Sequence, residues 1–481
     1  MKYTVRNLGP LKSAELSLRD LTIVCGKNNS GKTYLNYSLY SFLNYIRESR
    51  VFLFSENTVA QIMQEGRADV AISEIVLSYR RVCSSLEFMG RFGKQVARDL
   101  AVPVSRTEGS FFDFEIDKSP DFLVEEFRRS ETCGIDFQMP EQLVVRISHQ
   151  AESENVSVKC FPDQSVSEDS ARNFFPLPER VMDDVYWAFS IFLQRYIFRA
   201  FYISCERNGV MTFGQEISIF NNVAFNGETR NIELIRNLRK RLGFTGYPLP
   251  VRREINFVME LFNIQRRRES FLVREYGEII DRLDQIIGGV YNVSNDVGHF
   301  LTYTPRGQKK PLQISECSSS VKSLVELNYY LRYLARRNDL LIIDEPELDL
   351  HPSLHRSMAK LLINLVNAGI RVLLTTHSDY LVREINLMVT AYSDDPGMRS
   401  DVANVLHCNQ ADVISPKRVS CHVIGDGEIK PMKYIKDVGF PIISFDETIE
   451  SFNNAKQNVI SIICNEDVAK FEPENEVCGD E

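Results

Sequence analysis

Apolar residues gather in short runs near the start of the chain, in helical stripes through its middle, and again in short runs after residue 290. At the start, MKYTVRN, LGPLKSAELSL and LTIVC read as three short strands, with turns at Gly9-Pro10 and Arg19-Asp20. The run LTIVC (residues 21–25) is the kind that fills a buried strand. A loop, GKNNSGKT (residues 26–33), comes next, and residues 33–46 then carry Leu35, Leu39, Leu43 and Ile46 on one helical face.

Residues from about 47 to 290 are irregular. Helical patterns over 59–75 and 121–129 alternate with possible hairpins at 143–148 and 156–160. Between about 254 and 287, Leu272, Tyr276, Ile279, Leu283 and Ile286 recur at spacings of four and three, the mark of a coiled-coil or helical-hairpin seam. Gly288-Gly289 ends it. Strand patterns return in YNVSN, HFLTYTP and PLQISE, followed by a helix over 318–336, the run LLIID, a helix over 353–367 and the strand RVLLTT. Further strands are expected near 402–407 and 418–424, and the acidic segment from Asn465 reads as disordered. These elements divide the chain into 1–46 and 291–400 as two parts of one core, 47–290 as an insertion or arm, 401–464 as a region for partner contact and 465–481 as a tail.

Composition narrows the class. The chain has 481 residues, 44% hydrophobic and 25% charged, which is ordinary for a water-soluble globular protein. A formal net charge of -9 argues against nucleic-acid binding by the whole surface and leaves room for a local basic patch. Ten scattered cysteines form no CxxC pair, so a zinc ribbon is not expected, and a reducing cytoplasm is the natural setting. Residues 185–203 are greasy, but Gln194, Arg195 and Arg199 interrupt them, so they read as a buried helix running into a strand, not as a membrane span.

The loop 26–33 carries the strongest chemical signal. Gly26, Lys27, Asn28, Asn29, Ser30, Gly31, Lys32 and Thr33 match glycine, four residues, then Gly-Lys-Ser/Thr. Gly26 and Gly31 permit torsions that aim N–H groups inward, and those groups with the helix start hold phosphate oxygens. Lys32 supplies a compact charge to the outer phosphates, and Thr33 a hydroxyl to Mg2+. The position between an apolar strand and an amphipathic helix is the confirming context. The second signal is LLIIDEP: four aliphatic residues ending in Asp344 and Glu345 describe a buried strand whose carboxyl end reaches a ligand. Asp344 is the candidate for holding the metal, directly or through water, and Glu345 the general base or polarising residue for an attacking water. Alone, this run also fits a core strand with an acidic turn; beside the phosphate loop the ATP reading prevails. His377, at the end of RVLLTT, lies beside the acidic strand if the sheet is parallel. His351 and His355 stand at i, i+4 without a third ligand, which makes a metal site there a weak reading. Ser318, Ser319 and Ser320 precede a helix, as plain capping residues or as phosphate ligands.

Phosphate loop, long insertion, serine-rich helix start, IIDEPELDLHP and TTHSDYLVREIN, in that order, resemble the SMC-like and OLD-like ABC-type ATPases of the AAA family. The likeness covers roughly residues 1–45 and 290–390, and FYISCERNG (residues 201–209) resembles a strand motif of the same bacterial ATPases. It implies an α/β fold, an ABC-type P-loop core with a long, mainly helical insertion forming a short coiled-coil or helical arm. It implies ATP and Mg2+ as cofactors and a head-to-tail homodimer or higher homo-oligomer. Ser318, Ser319 and Ser320 then reach the terminal phosphate from the second subunit, and Asp349 links the two sites. The chain departs from the pattern in reading SSSVK where LSGGQ is usual, and no glutamine loop is identifiable. The segment after His377 carries no TOPRIM-like glutamate and DxD set. ATPases of this sort without TOPRIM occur in anti-phage systems such as Septu, with an HNH partner, and PARIS, with a TOPRIM partner, so a separate nuclease or toxin effector is expected. A DNA-repair ATPase of the same fold and an ATP-gated scaffold with negligible turnover stand as alternatives. The basic runs 236–241, 252–253 and 266–268 fit either DNA phosphates or solvated helix faces.

Overall fold

The computed structural model describes residues 1–49, 54–83, 85–115, 132–163, 175–194, 199–214, 246–294, 301–393, 397, 405–406, 408–436 and 438–441. The expected helix at 121–129, the basic run 236–241 and the acidic tail lie outside these residues. In chain order the strands up to the acidic motif are β1 (Lys2–Leu8), β2 (Leu11–Ser17), β3 (Leu21–Gly26), β4 (Arg67–Ala71), β5 (Phe111–Glu115), β6 (Cys133–Met139), β7 (Leu143–His149), β8 (Asn155–Pro162), β9 (Ala200–Ile203), β10 (Gly289–Val293), β11 (Leu301–Pro305), β12 (Leu312–Gln313) and β13 (Leu340–Asp344). Then come β14 (Arg371–Thr376), β15 (Val419–Gly425) and β16 (Glu428–Met432). Helix α1 (Lys32–Glu48) follows β3.

Nine strands form one sheet in the order β5-β1-β2-β16-β15-β3-β14-β13-β9. From β15 to β9 the neighbours are parallel. The β1–β2, β1–β5 and β15–β16 pairs are antiparallel. Strands β3, β13 and β14 are buried at every residue, as parallel strands covered on both faces must be. Their side chains alternate between two cores. Val24, Ile342 and Leu373 enter the core that α1 shares with the insertion. Ile23, Leu341, Ile343, Val372 and Leu374 enter the other, built on the helices Leu249–Gln265, Gly277–Ile287, Pro352–Asn367 and Asp379–Thr390. The face of α1 read from the sequence is the buried one: Leu35, Leu39, Leu43 and Ile46 are all at most 2% exposed.

The α/β class with its P-loop core is the fold observed. The insertion carries, beside its helices, a four-stranded antiparallel sheet in the order β4-β8-β7-β6. The seam of Leu272, Ile279, Leu283 and Ile286 does not edge a projecting arm. All four side chains are buried in the second core, where each is worth about 1.5–3 kcal/mol over exposure. The helical pattern over 59–75 is broken as well: helix Glu56–Glu65 ends at Gly66, φ 68°, and the chain pairs as β4 with β8. The described part of 401–464 supplies β15 and β16 to the interior of the main sheet. The strand expected at 402–407 lies mostly outside the described residues, and Val405 and Leu406 are not in a strand. The described part of 185–203 is a helix (Val181–Leu193) and then β9, as read. Among the described residues no helix is long and apolar enough to cross a membrane.

Candidate nucleotide site

Register aligns the carboxyl ends of three neighbouring strands. Thr375 of β14 stands opposite both Val24 of β3 and Asp344 of β13. The segments that leave β3, β13 and β14 therefore meet at one edge, where open parallel sheets bind their ligands. A cleft of about 340 Å3 lies there, lined by residues 28–34, Pro10, Cys205, Asp344, Glu345, Thr375 and His377.

The loop 26–33 forms the floor. Gly31 has φ 106°, a conformation side chains rarely adopt, and a Cβ there would meet Leu11 Cδ2 at 2.6 Å. Asn29 also holds a positive φ of 60°. Gly31 caps α1 without any side-chain bond, and no acidic residue sits in the first turn. The first amides of a 17-residue helix thus stay open toward the cleft, a ready seat for phosphate. Lys32 is 7% exposed and its Nζ donates to the Gly26 carbonyl at 2.9 Å and the Lys27 carbonyl at 2.8 Å. Burial draws its pKa down, while Glu345, Cys25 and Asp344 act in the opposite sense.

Asp344 is 2% exposed. Oδ1 accepts from Asn36 Nδ2 at 2.9 Å and Thr375 Oγ1 at 2.7 Å; Oδ2 accepts from the Tyr202 hydroxyl at 2.6 Å. Burial pushes its carboxyl up, and these three bonds oppose the shift. All three donors are neutral, and among the described residues no ion pair compensates the charge. A buried carboxylate held in this way, in a cleft that Thr33 also lines, suits a hard divalent cation.

Glu345 turns out of the strand at φ 48°. Its Oε1 lies 3.7 Å from His377 Nε2, and both side chains are 31% exposed. Burial, and then the Lys32 charge, lower the His377 pKa. The imidazole is therefore neutral at neutral pH. Glu347 backs this edge: its Oε1 accepts from Thr376 Oγ1, from His377 N at 3.3 Å and from Ser378 N at 3.2 Å.

A family model for the AAA ATPase domain matches residues 1–160 and 206–382. The chain belongs to that family. The comparison with curated proteins returns no match. Solved structures with similarity to the chain include the SmcHead bound to the C-winged helix domain of ScpA, at 12% identity and TM-score 0.30, covering 89% of this chain and 96% of that one. Another is the Smc head with an extended coiled coil bound to the C-terminal domain of ScpA derived from Pyrococcus furiosus, at 11% identity and TM-score 0.30, covering 94% and 98%. A third is the SMC head domain from Thermotoga maritima, at 9% identity and TM-score 0.26, covering 90% and 98%.

In this AAA ATPase domain the cleft gathers Asn28, Asn29, Ser30, Gly31, Lys32, Thr33, Asp344, Glu345 and His377. Ser318, Ser319, Ser320 and Asp349 do not line it. Ser318 caps the helix Ser319–Tyr329 by backbone alone, its hydroxyl lying 2.9 Å from that of Ser320, so this helix start is also uncapped and faces outward. Asp349 is exposed at φ 60° and accepts a bond from Asn208 Nδ2. His351 caps the helix Pro352–Asn367, and His355 bonds the Leu350 carbonyl and Ser378 Oγ, both at 3.1 Å. The described residues hold no cluster of His, Cys, Asp or Glu fit for a metal by itself. Sequence reading passed over Asn36, and met Tyr202 and Arg207 only as part of the motif FYISCERNG, without a role for either. Asn36 was findable, since it stands one helical turn after Lys32 on the same face. Arg207 donates to the Asp344 carbonyl at 2.7 Å and the Glu345 carbonyl at 2.6 Å, and only the fold shows that proximity.

Proposed function

We propose that this protein binds Mg-ATP in the cleft and hydrolyses it. The observation that carries the reading is one edge of the sheet that joins the open amides of α1 and Lys32 to Asp344, Glu345 and His377. Phosphate oxygens rest on the amides of the loop 26–33, with Lys32 as their fixed positive charge. Thr33 and Asp344 hold Mg2+, which when bound neutralises charge that builds on the phosphates. Glu345 takes the proton of the attacking water, and neutral His377 donates a hydrogen bond toward the terminal phosphate. The uncapped helix start at Ser318, Ser319 and Ser320 of a second copy would complete the site, with Asp349 at the joint. This composite site makes ATP the control of a head-to-tail dimer. Phosphate release by the full chain is expected to require Mg2+ and to fall to background with excess EDTA; release that EDTA leaves unchanged contradicts the assignment of Thr33 and Asp344.

The wider role we infer is an ATPase subunit of a bacterial anti-phage complex, with ATP setting the state of a separate nuclease or toxin effector. The order of motifs over residues 1–45 and 290–390 supports it. The neighbouring gene is expected to encode an HNH or TOPRIM nuclease, and sequencing a locus with neither contradicts this role without touching the ATP site. The SSSVK run in place of a glycine-containing signature favours slow turnover, and at its limit an ATP-gated scaffold.

A further inference from the structure

We propose that Arg207 is a positioning residue that fixes the backbone of Glu345, and that the buried carboxyls of Glu254 and Glu326 tie this setting to the helix Ser319–Tyr329. The inference rests on the reading of Glu345 as the general base. Arg207 is 2% exposed and lies just beyond β9, the edge strand paired with β13. Its Nη1 donates to the carbonyls of Ser204, at 2.8 Å, and Asp344, at 2.7 Å; Nη2 donates to the carbonyl of Glu345 at 2.6 Å. Where β13 ends, two successive carbonyls thus share one guanidinium. The planar fork of arginine can serve both at once, and an ammonium cannot match that geometry. Glu345 needs such a hold, because φ 48° is a conformation that non-glycine residues rarely keep. Its N–H is fixed on the other side by the Thr375 carbonyl at 2.9 Å.

The charge of Arg207 is buried and must be balanced. Glu254, from the helix Leu249–Gln265, accepts from Ser204 N and, at 2.7 Å, from Ser204 Oγ. Ser204 therefore joins Arg207 to Glu254. Glu326, from the helix Ser319–Tyr329 that packs on the helix Leu249–Gln265, is buried like Glu254, and among the described residues its Oε2 has no hydrogen-bond partner. Burial raises both carboxyls, Glu254 to about 7. Glu326 stands two turns after Ser319, roughly 10 Å along the helix. A shift of that helix when its serine end takes a ligand moves Glu326, and Glu254, Ser204 and Arg207 carry the movement to Glu345.

Hydrogen exchange on the full chain tests this without relying on turnover. In Arg207→Lys and in Glu326→Leu, the amides of residues 345–350 are expected to exchange at least about tenfold faster, while the amides of α1 keep their wild-type rates. In steady state, Arg207→Lys is expected to lower kcat at least about tenfold with KM for ATP within about threefold. Unchanged exchange at 345–350 in Arg207→Lys overturns the positioning role; unchanged exchange in Glu326→Leu alone overturns the link to the helix. Faster exchange in α1 as well, in both variants, means a general structural role and overturns the proposal. If wild type releases no more phosphate than Glu345→Gln, the ATPase reading fails, and the exchange pattern still decides whether Arg207 and Glu326 set the Glu345 backbone.

Discussion

Replacing Glu345 by glutamine is expected to lower steady-state phosphate release by about 10²–10⁴-fold while ATP still binds. The amide keeps the size of the carboxylate and its place 3.7 Å from His377 Nε2, but it cannot accept the proton of the attacking water. Nothing in the phosphate seat changes, because the loop 26–33, Lys32 and Thr33 lie on separate elements. Blocked hydrolysis leaves the ATP state standing, so the variant should also elute as a dimer with ATP and as a smaller species without it. A colorimetric phosphate assay and size exclusion with light scattering read the two effects. A variant with wild-type turnover would remove Glu345 from the chemistry.

Lys32→Ala is expected to weaken ATP binding by about 10–100-fold, the worth of the charge-assisted bonds it removes. The same substitution frees the carbonyls of Gly26 and Lys27 from their donor, which loosens the loop that presents the amides. Titration with a fluorescent ATP analogue reads the affinity. The rise in Tm that ATP gives the wild type should shrink in the variant. An unaltered affinity would mean that phosphate is held elsewhere.

The parts of the site visible in the sequence are those set by short-range rules. A phosphate loop is a local object: two glycines, a lysine and a helix start. The runs at β3, β13 and β14 are mostly apolar because both faces are covered, so their being buried strands was legible from pattern; their order and parallel pairing are seen in the fold. His377 was reachable on the condition of a parallel sheet, as the residue after a strand that then lies beside β13, and the observed pairing meets that condition. What stayed hidden depends on long-range pairing. Nothing local says that β15 and β16 slot between β2 and β3, since their alternation fits any half-buried strand. The seam at Leu272, Ile279, Leu283 and Ile286 has the period of a coiled coil, and a helix packed on a domain core shows the same period. Arg207 and Glu326 are polar residues, which pattern assigns to the surface; their burial follows from compensation between elements that are far apart in the chain. The pairing of Asp344 with Asn36, Tyr202 and Thr375 is hidden for the same reason.

The most direct test is the identity of the nucleotide that stays bound. Wild-type protein and Glu345→Gln are each incubated with Mg2+ and ATP, freed of unbound nucleotide, denatured, and their released nucleotide separated by ion exchange. The cleft assigned here predicts ADP as the main species from the wild type and intact ATP from the variant, at comparable occupancy. The same ratio of ADP to ATP from both, or no bound nucleotide from either, would contradict it.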